Sequence, residues 1–450
     1  MKKLFAKYAE SVESACTVKC VGYVFRVHGL LVESTGPQSV VGEICRIISR
    51  GEELLAEVVG LNGSTVQLMV YGATEGIELG ARVEASGSSL TIPCSPAMLG
   101  RVLDALGRPL DGKGGFNINC RNPAMREAPP AFSRPIIRER LSTGIRAVDG
   151  LLAVGKGQRI GIFAGSGVGK STFLGMIAAS SQADVNVIAL IGERGRELND
   201  FIVNSLGEDA MKRSVVVAAT GDKSALERLK GAYTATAIAE YFRDLGMNVL
   251  LLLDSVTRFA RAQREIGLSR GESAAHRGYP PSVFDMLPKL LERAGTSERG
   301  TITAFYTVLV EGDDMDEPVS DNVRATLDAH IVLSRRLASR GHYPAVDVLQ
   351  SISRLSEEVS GEATRAAVRT VKRLIADYAE AEDVINAGAY RQGSNPDIDA
   401  AIAKRPEIED FLIQGIGDRT GLGETLTRLG GIAGVEIPDA EQAGPTAKRV

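Results

Sequence analysis

The segment Ala164-Gly-Ser-Gly-Val-Gly-Lys-Ser171 constrains this chain more tightly than any other stretch. It has the spacing of a phosphate-binding loop, with Ala164 where the pattern ordinarily opens on glycine. Residues 159–163 ahead of it read as a short buried strand, and residues 172–179 behind it as an apolar helix. In that order, strand, loop and helix turn successive backbone N–H groups toward one point at a helix N-terminus, where a triphosphate is held. Gly165, Ser166, Gly167, Val168, Gly169, Lys170, Ser171 and Thr172 are therefore the expected nucleotide cradle. Lys170 is placed to reach the β- and γ-phosphates, and the Ser171 hydroxyl to hold Mg²⁺.

A chain of 450 residues exceeds a single core and suits about three domains. Its apolar share of 44% and charged share of 24% are those of a globular protein. The net charge of −4 supplies no basic field, so a nucleic-acid partner is not expected. Five cysteines, at no zinc-like spacing, read as reduced thiols and point to a cytoplasmic protein. The Met-Lys-Lys start is followed by Lys7, Glu10 and Glu13, which break up any signal-like apolar run. Residues 249–253, the purest apolar run, are too few to span a bilayer.

Pattern changes divide the chain. Residues 1–17 suit an amphipathic helix, either packed on the next domain or serving as a docking handle. Residues 18–95 alternate in short strands separated by glycine, which suggests a small closed barrel. Within it, residues 56–59 and 65–71 flank a predicted loop, Gly60-Leu-Asn-Gly63, ending in an Asn-Gly turn pair. Lacking clustered basic and aromatic residues, this barrel reads as a structural collar. Residues 96–360 carry apolar runs at 185–191, 215–219, 249–253 and 301–310 between helical stretches, the pattern of a mostly parallel sheet. Residues 361–435 are predicted helical, and 436–450 a loose tail.

A phosphate loop predicts binding; turnover needs further groups. Asp254 ends an apolar strand and so stands at the sheet edge that also bears the loop, where it can hold Mg²⁺, mostly through water. Glu193 follows another strand end and is a candidate to polarise the attacking water, or else a solvated loop acid. Arg194, Arg258, Arg261, Arg335, Arg336 and Arg354 all follow candidate strands, and spacing does not choose a transition-state clamp among them.

Over nearly its whole length the chain resembles the RecA-like rotary ATPase α/β family. The likeness rests on Gly192-Glu-Arg, Ala239-Glu-Tyr-Phe-Arg-Asp244 and Pro344-Ala-Val-Asp-Val-Leu-Gln-Ser-Ile-Ser353. Arg277-Gly-Tyr-Pro-Pro-Ser-Val-Phe284 and Leu287-Pro-Lys-Leu-Leu-Glu-Arg-Ala-Gly295 are similar to the branch that powers type III protein export, flagellar or injectisome. The resemblance implies an N-terminal barrel, a RecA-like α/β domain and a C-terminal helical domain. It also implies Mg-dependent ATP hydrolysis by a homo-oligomeric ring, a hexamer in this family. Glu193 would polarise water, Lys170 and Ser171 would serve phosphate and metal, and Asp254 would be the strand-end acid. Arg354 would reach into a neighbouring subunit's site, with Arg194 and Arg258 also near the γ-phosphate. The implied partners are a stator-like regulator on the N-terminal segment, a coiled-coil stalk protein in the ring centre, an export-gate membrane protein and chaperone–substrate complexes. The implied location is the cytoplasmic face of the inner membrane. Leu309 stands where rotary β subunits are expected to carry a base-stacking tyrosine, which implies a looser base pocket. The alternatives are an injectisome secretion ATPase, a catalytic subunit of a proton-driven ATP synthase, a ring translocase acting on nucleic acid and a noncatalytic nucleotide-binding scaffold.

Overall fold

A computed structural model describes residues 20–310, 312 and 314–442, in two compact units. The proposed helix in 1–17 lies outside the described residues.

The first unit is a closed six-stranded barrel. Its strands are β1 (Val21–His28), β2 (Leu31–Thr35), β3 (Glu43–Ser49), β4 (Glu52–Asn62), β5 (Thr65–Val70) and β6 (Arg82–Ser89), in the order β1-β2-β5-β4-β3-β6. Alternation places Val24, Val32, Ile47, Val58, Leu68 and Val83 in its interior. The predicted loop at 60–63 is mostly strand. β4 runs on to Asn62, and Gly60 marks a register shift against β5, where a Cβ would meet the Gln67 side chain at 2.6 Å. Only Gly63, at φ +60°, and Ser64 make the turn.

The second unit holds a nine-stranded sheet. Eight strands lie on its main path: β7 (Arg101–Leu103), β8 (Arg159–Ala164), β9 (Val185–Ile191), β10 (Ser214–Ala219), β11 (Asn248–Asp254), β12 (Thr301–Leu309), β13 (Ala329–Leu333) and β14 (Val346–Ser353). Their order is β14-β13-β8-β12-β11-β9-β10-β7, all parallel except the β13–β14 pair. Every residue of β9 and β10 is buried, as a strand covered on both faces requires. Register then sets the site. Ala164 aligns with Leu309 and Leu333, and Leu190 with Asp254, so the carboxyl ends of five strands share one edge. β14 runs the other way, and Ser353 pairs with Ala329 at the opposite edge.

Three long helices follow: α1 (Glu362–Asn386), α2 (Pro396–Leu412) and α3 (Leu422–Ala433). Val371, Leu374, Phe411 and Leu429 join the same core as β8 and β13. Buried Arg146 anchors the group, donating from Nε to the Phe411 carbonyl at 2.8 Å, while Gln414 accepts from the Arg146 N–H at 2.9 Å. The tail expected to be loose from 436 is packed as far as it is described. Ile437 is buried, and the Glu441 carboxylate accepts from the N–H groups of Ala363 and Thr364.

Candidate nucleotide site

The loop after β8 turns on two glycines in left-handed backbone, Gly167 at φ +79° and Gly169 at φ +88°. Gly169 caps the helix Lys170–Ser180, so Lys170 and Ser171 project from its first turn. A cavity of about 650 Å³ opens over this turn, lined by the loop, Glu193, Arg194, Arg258, Arg261 and Arg335.

The three groups expected to do chemistry meet here. Lys170 Nζ lies 2.5 Å from Asp254 Oδ1 and 3.4 Å from Glu193 Oε1. Asp254 is buried, and its Oδ1 also accepts from the Thr307 hydroxyl at 2.7 Å. Thr307 comes from the neighbouring strand and had no signal in the sequence beyond its place near a strand end. Burial works against the Lys170 ammonium, but the Asp254 and Glu193 carboxylates outweigh it and its pKa rises. Glu193 is also shifted upward. Burial raises it most and Lys170 opposes, while Asp254 adds to the rise and Arg258 opposes it. A carboxylate held above its usual range is a better proton acceptor.

Gly192, at φ +70°, lets the chain turn between β9 and Glu193, and the Arg258 side chain packs against it. A Cβ at 192 would meet Arg258 at 3.0 Å. Arg258 Nε is buried without a hydrogen-bond partner among the described residues, a donor available to an anion in this cavity. Arg194 is 81% exposed at the rim and pairs with Glu197 at 3.7 Å.

The Ser171 hydroxyl and the Asp254 carboxylate suit a hydrated Mg²⁺, which takes one or two protein ligands and keeps water and phosphate for the rest. Ser171 faces the cavity, whereas Asp254 stands behind Lys170. No group of three or more acidic, cysteine or histidine side chains forms a metal cage among the described residues.

The expectation drawn from Leu309 is corrected by placement. Leu309 lines the phosphate cavity. An aromatic ring able to stack on a base comes from Tyr343, beside a separate, more apolar cavity of about 400 Å³ lined by Val168, Phe173, Met176, Pro344 and Ile416. A Cβ on Gly169 would stand 3.4 Å from that ring. Tyr343 precedes the Pro344–Ser353 motif by one residue, a position the motif itself could have flagged.

Arg354 does not join the cluster. It is exposed, one residue past Ser353, which registers with Ile160 through Ala329. That is four residues back along β8 from the loop, about 13 Å at the rise of a strand.

Residues 24–87 match the β-barrel domain of the ATP synthase alpha/beta family, and residues 144–353 its nucleotide-binding domain. Residues 360–431 match the T3SS EscN ATPase C-terminal domain. The chain is 57% identical to the flagellum-specific ATP synthase of Treponema pallidum, over 96% of this chain and 98% of that protein. It is 49% identical to the type 3 secretion system ATPase of Xanthomonas euvesicatoria, over 91% and 93%. The assembled ATPase EscN from the enteropathogenic E. coli type III secretion system superposes with a TM-score of 0.88 at 43% identity, covering 92% of this chain and all of that one. EscN has also been solved in complex with its central stalk EscO, and that chain matches with a TM-score of 0.86 at 42% identity.

Proposed function

The chain belongs to the ATP synthase alpha/beta family, among the flagellum-specific and type III secretion ATPases, and on that premise we propose that it hydrolyses Mg-ATP to serve flagellar protein export. The observation that carries this reading is the convergence of Lys170, Asp254 and Glu193 at the mouth of the phosphate loop. Lys170 grips the β- and γ-phosphates, giving up its contact with Asp254 as they arrive. Mg²⁺, which Ser171 and Asp254 would hold, would offset charge on the phosphates. Glu193 orients the attacking water and accepts its proton, and Arg258 turns its unpaired Nε to the γ-phosphate. The base lies against Tyr343.

Arg354 stands too far from its own loop to assist and instead completes a neighbouring copy's site, so the working form is a closed ring, a hexamer. EscN assembles and holds a central stalk; by likeness, this chain takes a coiled-coil stalk protein in its centre. Residues 1–17 dock a stator-like regulator, and the helical domain faces the export gate and chaperone–substrate complexes. The protein works at the cytoplasmic face of the inner membrane. No helix of the described residues is long and apolar enough to cross a membrane. The match of 360–431 to a secretion-ATPase domain favours export over a proton-driven ATP synthase, and an injectisome is the second reading.

The test is the hydrolysis rate of the purified chain against its concentration. Specific activity that climbs with concentration and vanishes in Lys170→Ala supports shared sites between identical copies. Activity independent of concentration, or unchanged in Lys170→Ala, overturns the proposal.

A further inference from the structure

Away from the nucleotide cavity, a second cavity of about 340 Å³ lies between the end of β14 and the first turns of α1. Arg365, Arg369 and Lys372 line it, at the i, i+4 and i+7 spacing that puts them on one helix face. Across from them are Ser353, Ser356 and Ser360, with Leu151 and Val368 as apolar floor. The Ser353 hydroxyl is committed, donating to the Ala153 carbonyl at 2.8 Å and accepting from Gln158 at 3.1 Å. Those of Ser356 and Ser360 have no partner among the described residues.

The cations are poorly offset. Arg365 is felt by the Glu441 carboxylate, whose pKa it helps to lower. Arg369 and Lys372 make no hydrogen bond or ion pair with a described side chain, and Glu357, the one acid in the lining, pairs with neither. Lys372 is partly buried, and burial alone pushes its pKa down. Like charges one turn apart destabilise a helix, and desolvating one of them adds to the cost. An anion in the cavity reverses both effects.

We propose that this cavity binds a phosphate-class oxyanion, held by Arg365, Arg369 and Lys372 on one side and by the Ser356 and Ser360 hydroxyls on the other. A tetrahedral oxyanion directs acceptor oxygens out of a single plane, and so toward donors on both sides, whereas the two oxygens of a carboxylate lie in one plane. Its source is free inorganic phosphate or the phosphate of a nucleotide.

The experiment uses the full chain carrying Lys170→Ala, which removes the phosphate lysine of the other cavity. Lys372 is labelled with an amine-reactive reagent and read by peptide mass spectrometry, in inorganic phosphate, in ADP, or in chloride at matched ionic strength. Binding predicts protection of Lys372, about fivefold slower labelling at four times the dissociation constant. Exposed Lys212 provides the control and should label equally throughout. Protection by phosphate identifies the free ion, and protection by ADP alone identifies the nucleotide. Either supports the site, provided Arg369→Gln weakens the protection. Equal labelling in all three solutions overturns it. So does protection that follows protein concentration without phosphate, which would mean a second copy covers this face.

Discussion

Lys170 bridges two carboxylates whose surroundings differ. Asp254 is buried and tied to Thr307, while Glu193 sits at the cavity wall with Arg258 across from it. Because Glu193 is shifted upward mainly by burial and Arg258 pulls it down, removing Arg258 should raise it further. A base must be deprotonated, so the acid limb of kcat/KM in Arg258→Gln is expected to move to higher pH; a pH–rate profile checks this. The Glu193→Gln limb should vanish along with about 10²–10⁴ of the rate. Tyr343→Ala is expected to raise KM for ATP about 2- to 10-fold through lost ring stacking, with kcat little changed; steady-state kinetics decide.

At the scale of elements, two of the motifs that carried the family likeness meet in the core and not at the site. Arg293 and Glu240 form a bidentate pair at 2.9 and 2.7 Å, both 1% exposed, and Arg293 also donates to the Ala124 carbonyl. The pair fastens the helix Ala225–Asp244 to the end of the helix Pro281–Leu291. Glu240→Ala leaves a buried guanidinium without its counter-charge and should cost about 3–5 kcal/mol. Denaturant unfolding measures this, and Glu240→Leu with Arg293→Met should recover much of it. Strands were legible where both faces are covered: the run 185–191 matches β9 residue for residue. The hairpin turn was not, because Gly60 serves a bulge and only Gly63 the turn, and an isolated glycine does not say which.

For the whole molecule, the antiparallel return of β14 carries Arg354 to the sheet edge opposite the one that bears Lys170 and Glu193. If Glu193 acts on one side of an interface and Arg354 on the other, an equal mixture of Glu193→Gln and Arg354→Ala rebuilds about a quarter of the interfaces, by random pairing in a closed ring. Hydrolysis assays on the mixture should recover up to that fraction, whereas either variant alone stays inactive; no recovery would place both residues within one chain's site.

The sequence by itself determined the phosphate loop, the strand-end acid, the barrel and the helical end, because each is written in local spacing and period. Glycine positions, alternation and apolar runs act over a few residues and need no distant partner. Only tertiary structure decided that Tyr343 and not Leu309 stands by the apolar cavity, that Thr307 holds Asp254, and that Arg354 lies at the far edge of the sheet. Those facts depend on strand order and register, which bring together residues far apart in the chain.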